Sequence, residues 1–209
     1  MIVEQYGLKY KRITEQDLEL VRYWRNQPFI RNMMQFKDYI TPIMQKKWYQ
    51  KINNKENYYF IIEHEHRKIG LINCKESSVT RVAEGGIFIW DKSYWESSIP
   101  VFASLTMLQA IFDVFQSGEA SIATVACDNK RAIDFNLHLG YEIIDKLEDK
   151  NFYKLFLSKQ KFHNHCQKLI RAANILSGGV SEFKLFADES NLQTDEINNY
   201  IRNNKITSY

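Results

Sequence analysis

Apolar and polar positions alternate in short runs through the first third of the chain, with one helical pattern among them. Residues 8–13 alternate between apolar and polar positions, and 58–63 and 68–73 are short apolar-rich runs of partly alternating character, so all three predict strands. A short polar turn separates the last two, so they predict a hairpin. Between the first two, Thr14 precedes an amphipathic segment at 17–24 and can cap the helix that this segment predicts.

The second half of the chain alternates strands with helices. Residues 84–91, 121–127, 141–144 and 151–157 predict strands. The helix between the first two has one apolar side, formed by Val101, Leu105, Leu108 and Phe112. For the next helix, Asp128 or Asn129 is the candidate cap and Gly140 the left-handed stop. Its apolar face holds Ala132, Phe135 and Leu139.

The chain after residue 158 predicts two further helices. The first ends near Ser177, and its apolar face consists of Phe162, Cys166, Leu169, Ile170, Ala173 and Leu176. The second runs from Asp188 toward Asn203. We expect residues 159–209 to form a helical C-terminal extension of a domain at 1–158. This extension would pack on the domain or on a partner subunit, which allows a homodimer.

Composition limits the function classes without naming an activity. The 209 residues carry a net charge of +3 and no dense Lys/Arg block, so we expect no nucleic-acid partner. No apolar run approaches the roughly 18–20 residues of a membrane span, and the N-terminus lacks a signal-peptide layout. We therefore expect a cytoplasmic protein with no membrane partner. Three widely spaced cysteines favour free thiols over a disulfide or a metal site: Cys74, Cys127 and Cys166.

The order of elements over residues 8–158 resembles the GNAT superfamily of N-acetyltransferases. The strand, Asn-capped helix, Gly-aromatic pair and strand at 121–144 are similar to the end of the superfamily's acyl-CoA site. Trp-Arg-Asn-Gln-Pro at 24–28 is similar to a segment of members that act on ribosomal proteins and amino sugars. The resemblance implies an α/β (α+β) fold with a mixed central sheet of about seven strands flanked by helices. It also implies an acyltransferase with acetyl-CoA as co-substrate.

The resemblance also locates the donor's pyrophosphate. Superfamily members hold it on backbone N–H groups of a Gly-rich turn that opens a helix, where free amides and the helix dipole attract an anion. The corresponding turn here, at 95–101, is degenerate, and the N–H donors expected in it are Ser97, Ser98, Ile99 and Val101. Glu96 adds an unfavourable charge unless it points outward, and Pro100 removes one N–H. Either this modified turn still binds acetyl-CoA, or donor binding has decayed and the fold serves another purpose.

The pantetheine arm is expected beside the splayed end of the strand at 84–91, paired with the backbone of Phe88, Ile89 and Trp90. Gly85 and Gly86 either permit a bulge that opens this edge or ease strand crowding. Asn129 would contact the pantetheine or hold the following loop. Asn136 would line the donor site at a position where many relatives carry a tyrosine acid.

Acetyl transfer to an amine needs a base, stabilisation of the oxyanion and a proton for the leaving thiolate. Glu84 is the candidate base, acting directly or through a water; its alternative role is a structural ion pair or an exposed charge at a strand end. A backbone N–H near Ile89 would meet the oxyanion. Tyr141 is the candidate acid, and His138, also nearby in sequence, can equally face solvent.

The first helices usually shape acceptor specificity in this superfamily, which implies acceptor-site roles for Trp24, Arg25, Asn26, Trp48 and Tyr49. Aromatic faces suit a sugar or a nucleobase, although core packing explains Trp24 equally well. We expect N-acetylation of a primary amine on a small acceptor, such as an amino-sugar nucleotide. A ribosomal-protein or antibiotic N-acetyltransferase is the close alternative. A non-catalytic GNAT-fold binding module is the alternative from another class.

Overall fold

The computed structural model describes residues 1–54, 56–76 and 80–186. Within these ranges, nine strands form a single sheet in the order β7-β8-β6-β5-β4-β3-β2-β1-β9. Their bounds are β1 Ile2–Gln5, β2 Leu8–Arg12, β3 Asn57–His64, β4 Arg67–Lys75, β5 Val82–Ile89, β6 Ala120–Ala126, β7 Glu142–Leu147, β8 Phe152–Ser158 and β9 Lys184–Phe186. The expected mixed sheet is confirmed, and it is larger than the seven strands predicted because β1 and β9 extend one edge.

The helices lie between the strands. Those at 18–25, 99–109 and 130–138 lie where the sequence predicts helices, whereas the single helix predicted to end near Ser177 is divided into two. Their bounds are α1 Leu18–Arg25, α2 Pro28–Arg31, α3 Pro42–Ile52, α4 Ile99–Gln109, α5 Lys130–His138, α6 Lys159–His165 and α7 Gln167–Leu176. Side-chain caps fix several starts: Thr41 Oγ accepts the Met44 N–H at 3.2 Å, and Ser158 Oγ accepts the Lys161 N–H at 3.1 Å. A π-helical turn at Ala110–Val114 continues α4.

Two apolar layers cover the two faces of the sheet. On one face, α4 to α7 pack over a core that includes Phe60, Phe112 and Leu155. On the other face, α1 to α3 pack over a smaller core that includes Ile61 and Leu71. Because side chains alternate across a strand, neighbouring residues such as Phe60 and Ile61 serve opposite layers. None of the helices in the described ranges has the length and apolar character that a membrane span needs.

The described part of the C-terminal extension contributes to the α4-side core. Phe162, Cys166 and Ala173 are buried there, and β9 pairs antiparallel with β1. Leu176, which was predicted on the same apolar face, is 69% exposed at the end of α7. The helix predicted from Asp188 toward Asn203 lies outside the described residues. The division into a domain at 1–158 and an extension at 159–209 stays a proposal.

Candidate active site

The sheet opens between β5 and β6. These two strands form its one parallel pair among the described residues, and their register runs from Val82–Ala120 to Gly85–Ala123. Beyond that point β5 continues to Ile89 beside β4, while β6 continues to Ala126 beside β8. The backbone of β5 from Gly86 onward therefore has one edge without a strand neighbour, and the gap forms a V-shaped opening in the sheet.

The direction of the β5 amides shows which of them face this opening. The Trp90 N–H donates to the Ile69 carbonyl of β4 at 2.9 Å, and the same orientation recurs every second residue. Phe88 and Trp90 therefore direct their N–H groups to β4, which counts against their predicted pairing with pantetheine. Ile87 and Ile89 face the opening instead. The Ile89 carbonyl accepts the Trp95 indole N–H at 2.8 Å, which leaves the Ile89 N–H for a ligand.

The two glycines of β5 lie at the mouth of the opening. A side chain at Gly86 would put its Cβ 2.9 Å from Asn73 Oδ1, closer than such contacts occur. The pairing of β4 with β5 is continuous over Gly70–Lys75, without a bulge. The structure thus supports relief of crowding at Gly86, whereas a Cβ at Gly85 would lie 3.6 Å from its nearest neighbour, Ser121 Oγ, which is an ordinary contact.

Behind the opening, the sheet and the helices α4 and α5 enclose a cavity of about 50 Å³. Asn136 and Tyr141 both line it, together with Ile87. The Asn136 amide donates to the Ala132 carbonyl at 2.7 Å, which holds it on α5. Asn129 is the cap of α5, with Oδ1 accepting the Ala132 N–H at 3.2 Å. The alternative in which Asn129 fixes the following segment is therefore the one that matches its contacts.

The Tyr141 hydroxyl is poorly placed for a proton donor. Tyr141 is 7% exposed, and its hydroxyl lies 2.7 Å from Ser121 Oγ, which is completely buried. Burial raises the pKa of Tyr141 well above its ordinary value, so its proton is held more firmly than in water. The catalytic role of Tyr141 stays a prediction, and its contacts favour instead the role of a buried structural partner of Ser121.

The degenerate turn before α4 retains part of an anion site. The Ser97 N–H donates to the Tyr94 carbonyl at 3.2 Å, and the Ile99 N–H donates to Ser97 Oγ at 3.2 Å. These bonds remove Ser97 and Ile99 from the predicted set of ligand donors. Among the described residues, the N–H groups of Ser98 and Val101 have no hydrogen-bond acceptor. Two backbone donors at the start of α4 therefore remain for an anion.

Cationic side chains flank the same turn. The Glu96 side chain is 86% exposed and points outward, where its carboxylate meets Arg131 Nη2 at 3.3 Å. The Arg131 guanidinium lies over the Trp95 ring, 4.9 Å from its centroid, and Lys92 Nζ lies 5.7 Å from that centroid. Arg131 thus balances the charge of Glu96, and Arg131 and Lys92 both lie beside Trp95, the first residue of the turn.

A polar and aromatic surface covers the opening on the α1–α3 side. Tyr59, Asn73 and Gly86 lie opposite one another on β3, β4 and β5. Glu84 precedes Gly86 by two residues, so it projects from the same face of the sheet. Its side chain is exposed, and its charge contributes to raising the pKa of Tyr59, after the larger effect of burial. We call the surface formed by Arg25, Trp48, Tyr59, Glu84 and Phe88 the acceptor face.

Arg25 and Trp48 complete the acceptor face from the helices. The Arg25 guanidinium carbon lies 5.9 Å from the centroid of the Phe88 ring, and Arg25 Nη1 is buried without a hydrogen-bond partner among the described residues. Burial lowers the pKa of Arg25. Trp48 packs edge-to-face on Tyr59, with 5.1 Å between ring centroids.

Three other residues predicted for the acceptor site serve the helical layer instead. Trp24 stacks on Trp90 with ring centroids 6.0 Å apart and planes 4° apart, so one ring face is covered. The Asn26 amide bonds both backbone groups of Ile40, at 2.8 and 2.9 Å, and ties α1 to the segment before α3. Tyr49 is 2% exposed within the core. These placements count against the predicted substrate contacts of Asn26 and Tyr49, and they favour the core role of Trp24.

Sequence reasoning missed four residues of the site: Tyr59, Asn73, Ile87 and Arg131. Asn73 had a visible signal, because it is a polar residue in the otherwise apolar run of residues 69–74. Tyr59 follows from the alternation of β3, once one face is assigned to the helices α1 to α3. Ile87 and Arg131 had no signal in the sequence, since their roles depend on strand register and on the approach of α5 to the turn.

Comparison with known proteins identifies a family for most of this region. The sequence model of the acetyltransferase (GNAT) domain matches residues 8–142. The comparison with curated proteins gave no match. The matched segment includes the acceptor face, the V-shaped opening and the turn before α4.

Solved structures share the fold at low sequence identity. Spermidine N-acetyltransferase from Vibrio cholerae, in complex with CoA and spermine, is 17% identical with a TM-score of 0.68, covering 76% of this chain and 99% of that one. An aminoglycoside acetyltransferase in complex with coenzyme A is 14% identical with a TM-score of 0.64, covering 75% and 98%. A domain from Methanocaldococcus jannaschii is 22% identical with a TM-score of 0.64, covering 72% and 97%.

Proposed function

Because the chain belongs to the GNAT acetyltransferase family, we propose that it acetylates a primary amine of a small acceptor at the mouth of the V-shaped opening. The family's activity makes it an acyltransferase enzyme with acetyl-CoA as the donor. One observation carries the proposal: an unpaired β5 edge adjoins a surface with an exposed carboxylate, an arginine and aromatic rings. The donor and the acceptor can thus approach Gly86 from opposite sides of the sheet.

The residues around the opening fit the donor. The N–H group of Ile87 can bind an amide carbonyl of the pantetheine arm as an added strand would, which leaves the Ile89 N–H for the thioester. Ser98 and Val101 offer backbone N–H groups to the pyrophosphate, and Arg131 and Lys92 offer charge. Because Glu96 points away and is paired, it does not oppose an anion at this turn. These contacts favour a modified donor site over the alternative in which donor binding has decayed.

The chemistry needs little more than positioning and a base. Glu84 would accept a proton from the acceptor ammonium, directly or through a water, so that the free amine attacks the thioester carbonyl. Attack forms the N–C bond and a tetrahedral oxyanion; the nitrogen then releases its second proton to water, and collapse of the intermediate breaks the C–S bond. The Ile89 N–H, which is free of β4, would stabilise the oxyanion. With Tyr141 engaged in the core, water supplies the proton to the departing thiolate.

Among acceptors, an amino-sugar nucleotide is our first choice. The rings of Trp48, Tyr59 and Phe88 offer faces and edges on which a sugar or a base can pack. An antibiotic or a ribosomal-protein N-terminus is the alternative acceptor. Because the fold is similar to that of a spermidine and an aminoglycoside acetyltransferase, polyamines and aminoglycosides should also be tested as acceptors.

Thiol release from acetyl-CoA with a panel of primary amines tests the proposal. We expect turnover in the wild type and a loss of about 100-fold in kcat for Glu84→Gln, since general base catalysis contributes roughly 10²–10⁴-fold. Glu119→Gln is the matched control, because Glu119 is exposed and pairs only with Arg81 on the surface. Acetyl-CoA binding without turnover of any amine would favour a binding module. Equal rates for Glu84→Gln and the wild type would remove Glu84 from the mechanism.

A further inference from the structure

Arg25 is the least satisfied charged group on the acceptor face. It ends α1, its guanidinium carbon lies 5.9 Å from the Phe88 ring, and its Nη1 atom is buried with no hydrogen-bond partner among the described residues. Arg22, one turn earlier on the same helix, is fully engaged: it pairs with Glu19 at 2.7 Å and bonds the Ile40 carbonyl at 3.3 Å. Unlike Arg22, Arg25 thus has a hydrogen-bond donor, Nη1, for which the described residues provide no acceptor.

An unpartnered buried guanidinium is costly to keep. A buried donor without an acceptor loses its hydration and gains nothing in return, and the cost is larger for a charged group. The lowered pKa of Arg25 has the same cause, namely burial. A guanidinium nevertheless remains charged at neutral pH, so the site presents a positive charge. Buried donors without an acceptor are expected at functional sites, where a bound ligand can supply the missing acceptor.

Gln45 adds a second donor of the same kind nearby. Its Nε2 atom is also buried without a hydrogen-bond partner among the described residues. The Asn26 bonds to Ile40 bring the end of α1 beside the start of α3, where Gln45 lies in the first turns. Gln45 is only 3% exposed, however, so of the two side chains it is the half-buried Arg25 that can meet a ligand with acceptor oxygens.

The acceptor face is therefore charged in opposite senses at its two ends. Glu84 lies beside Gly86, where the reacting amine must arrive, and Arg25 lies over Phe88. Four residues of strand separate Glu84 from Phe88, a distance of about 13 Å between their Cα atoms at roughly 3.3 Å per residue. Both charges act on Tyr59: Glu84 raises its pKa and Arg25 lowers it, each by less than burial raises it.

We propose that the natural acceptor carries, several bonds from its primary amine, a phosphate or carboxylate group that Arg25 binds. This inference rests on the proposed function, because it assigns the amine to the Glu84 end of the face. A guanidinium holds either anion through two parallel hydrogen bonds. A polyamine is a poor acceptor here, since its second ammonium group would meet the charge of Arg25.

Matched pairs of amines test the proposal through kcat/KM. Glucosamine and glucosamine 6-phosphate differ by a phosphate, hexylamine and 6-aminohexanoate differ by a carboxylate, and spermidine supplies a polycation. In the wild type we expect the anionic member of at least one pair to be about 10- to 100-fold better, the range of one charge-assisted hydrogen bond. The preferred pair distinguishes phosphate from carboxylate. Arg25→Gln should abolish the preference, and Arg25→Lys should restore part of it.

The controls separate this proposal from the proposed function. Arg171→Gln, an exposed change on α7, should keep the preference. If amines are acetylated but neutral members or spermidine are preferred, or if Arg25→Gln slows both members of a pair equally, the anion proposal is overturned and the acetyltransferase proposal stands.

Calorimetric titration with acetyl-CoA, and separately with glucosamine 6-phosphate and 6-aminohexanoate, gives a readout without turnover. Arg25→Gln should bind acetyl-CoA as the wild type does, which also establishes that the variant is folded. If no amine is acetylated, anion binding that is lost in Arg25→Gln still supports the inference. Absence of any binding that depends on Arg25 overturns it.

Discussion

Substituting Tyr141 with Phe separates a structural from a catalytic role for this tyrosine. The substitution removes only the hydroxyl, which lies 2.7 Å from the fully buried Ser121 Oγ. Ser121 then has a buried hydroxyl without its partner, a situation that costs about 1–3 kcal/mol. The adjoining cavity of about 50 Å³ has room for a water that can partly replace the hydroxyl. We therefore expect the lower part of that range, about 1–2 kcal/mol.

For a chain of this length, about 1 kcal/mol shifts the melting temperature by roughly 2–4 °C, so Tyr141→Phe should lower it by about 2–8 °C. Removing both partners in Tyr141→Phe/Ser121→Ala should cost less than the sum of the two single changes, because no unmatched hydroxyl remains. Differential scanning calorimetry of the wild type, both single variants and the double variant measures this coupling. The kcat for any accepted amine should stay within about threefold of the wild type.

A proton donor to the leaving thiolate would behave in the opposite way. General acid catalysis contributes about 10²–10⁴-fold, so its loss would appear in kcat and not in stability. A fall of 100-fold or more in kcat for Tyr141→Phe, with an unchanged melting temperature, would refute the structural assignment and restore the catalytic one.

Three further predictions concern stability. Burial raises the pKa of Tyr10 in the folded state. The neutral Tyr10 side chain therefore contributes fully to the free energy of unfolding below the ordinary pKa near 10, and this contribution is lost as pH rises above that value. Urea midpoints measured from about pH 8 to 11.5 should fall less steeply in Tyr10→Phe than in the wild type. Gly70→Ala would put a Cβ 2.9 Å from the Phe88 carbonyl oxygen and should cost about 1–3 kcal/mol in denaturant unfolding; an unchanged midpoint contradicts this. Asn26→Ala releases both bonds to Ile40 and should cost about 1–2 kcal/mol while sparing acetyl-CoA affinity by calorimetry.

The long periodic segments were predictable because each buries one face. Ala132, Phe135 and Leu139 share a side of the helix at 130–138, and the Asn129 cap has its predicted contact. The strands β1 and β9 were missed because four and three residues are too few to display a period. They exist because each finds a partner: β1 pairs with both β2 and β9.

Predictions at the site agree with the structure where they needed only the side of the sheet on which a residue lies. They differ from it where a residue's role depends on a hydrogen bond to another segment of the chain. The alternation of β5 places Glu84 and Phe88 on the face that meets α1 to α3. The direction of an amide depends on which neighbouring strand it bonds, so the sequence of β5 alone could not exclude Trp90. Asn26 likewise acts through Ile40, fourteen residues away, a contact that no local pattern announces.

We propose that the turn before α4, although it lacks the family's glycines, still serves an acetyl-CoA site beside the V-shaped opening. Calorimetric titration of the purified protein with acetyl-CoA tests it most directly. We predict binding in the micromolar range, about 8 kcal/mol of affinity, weakened by Arg131→Gln. No detectable binding at about 1 mM, a bound of roughly 4 kcal/mol, would contradict the account.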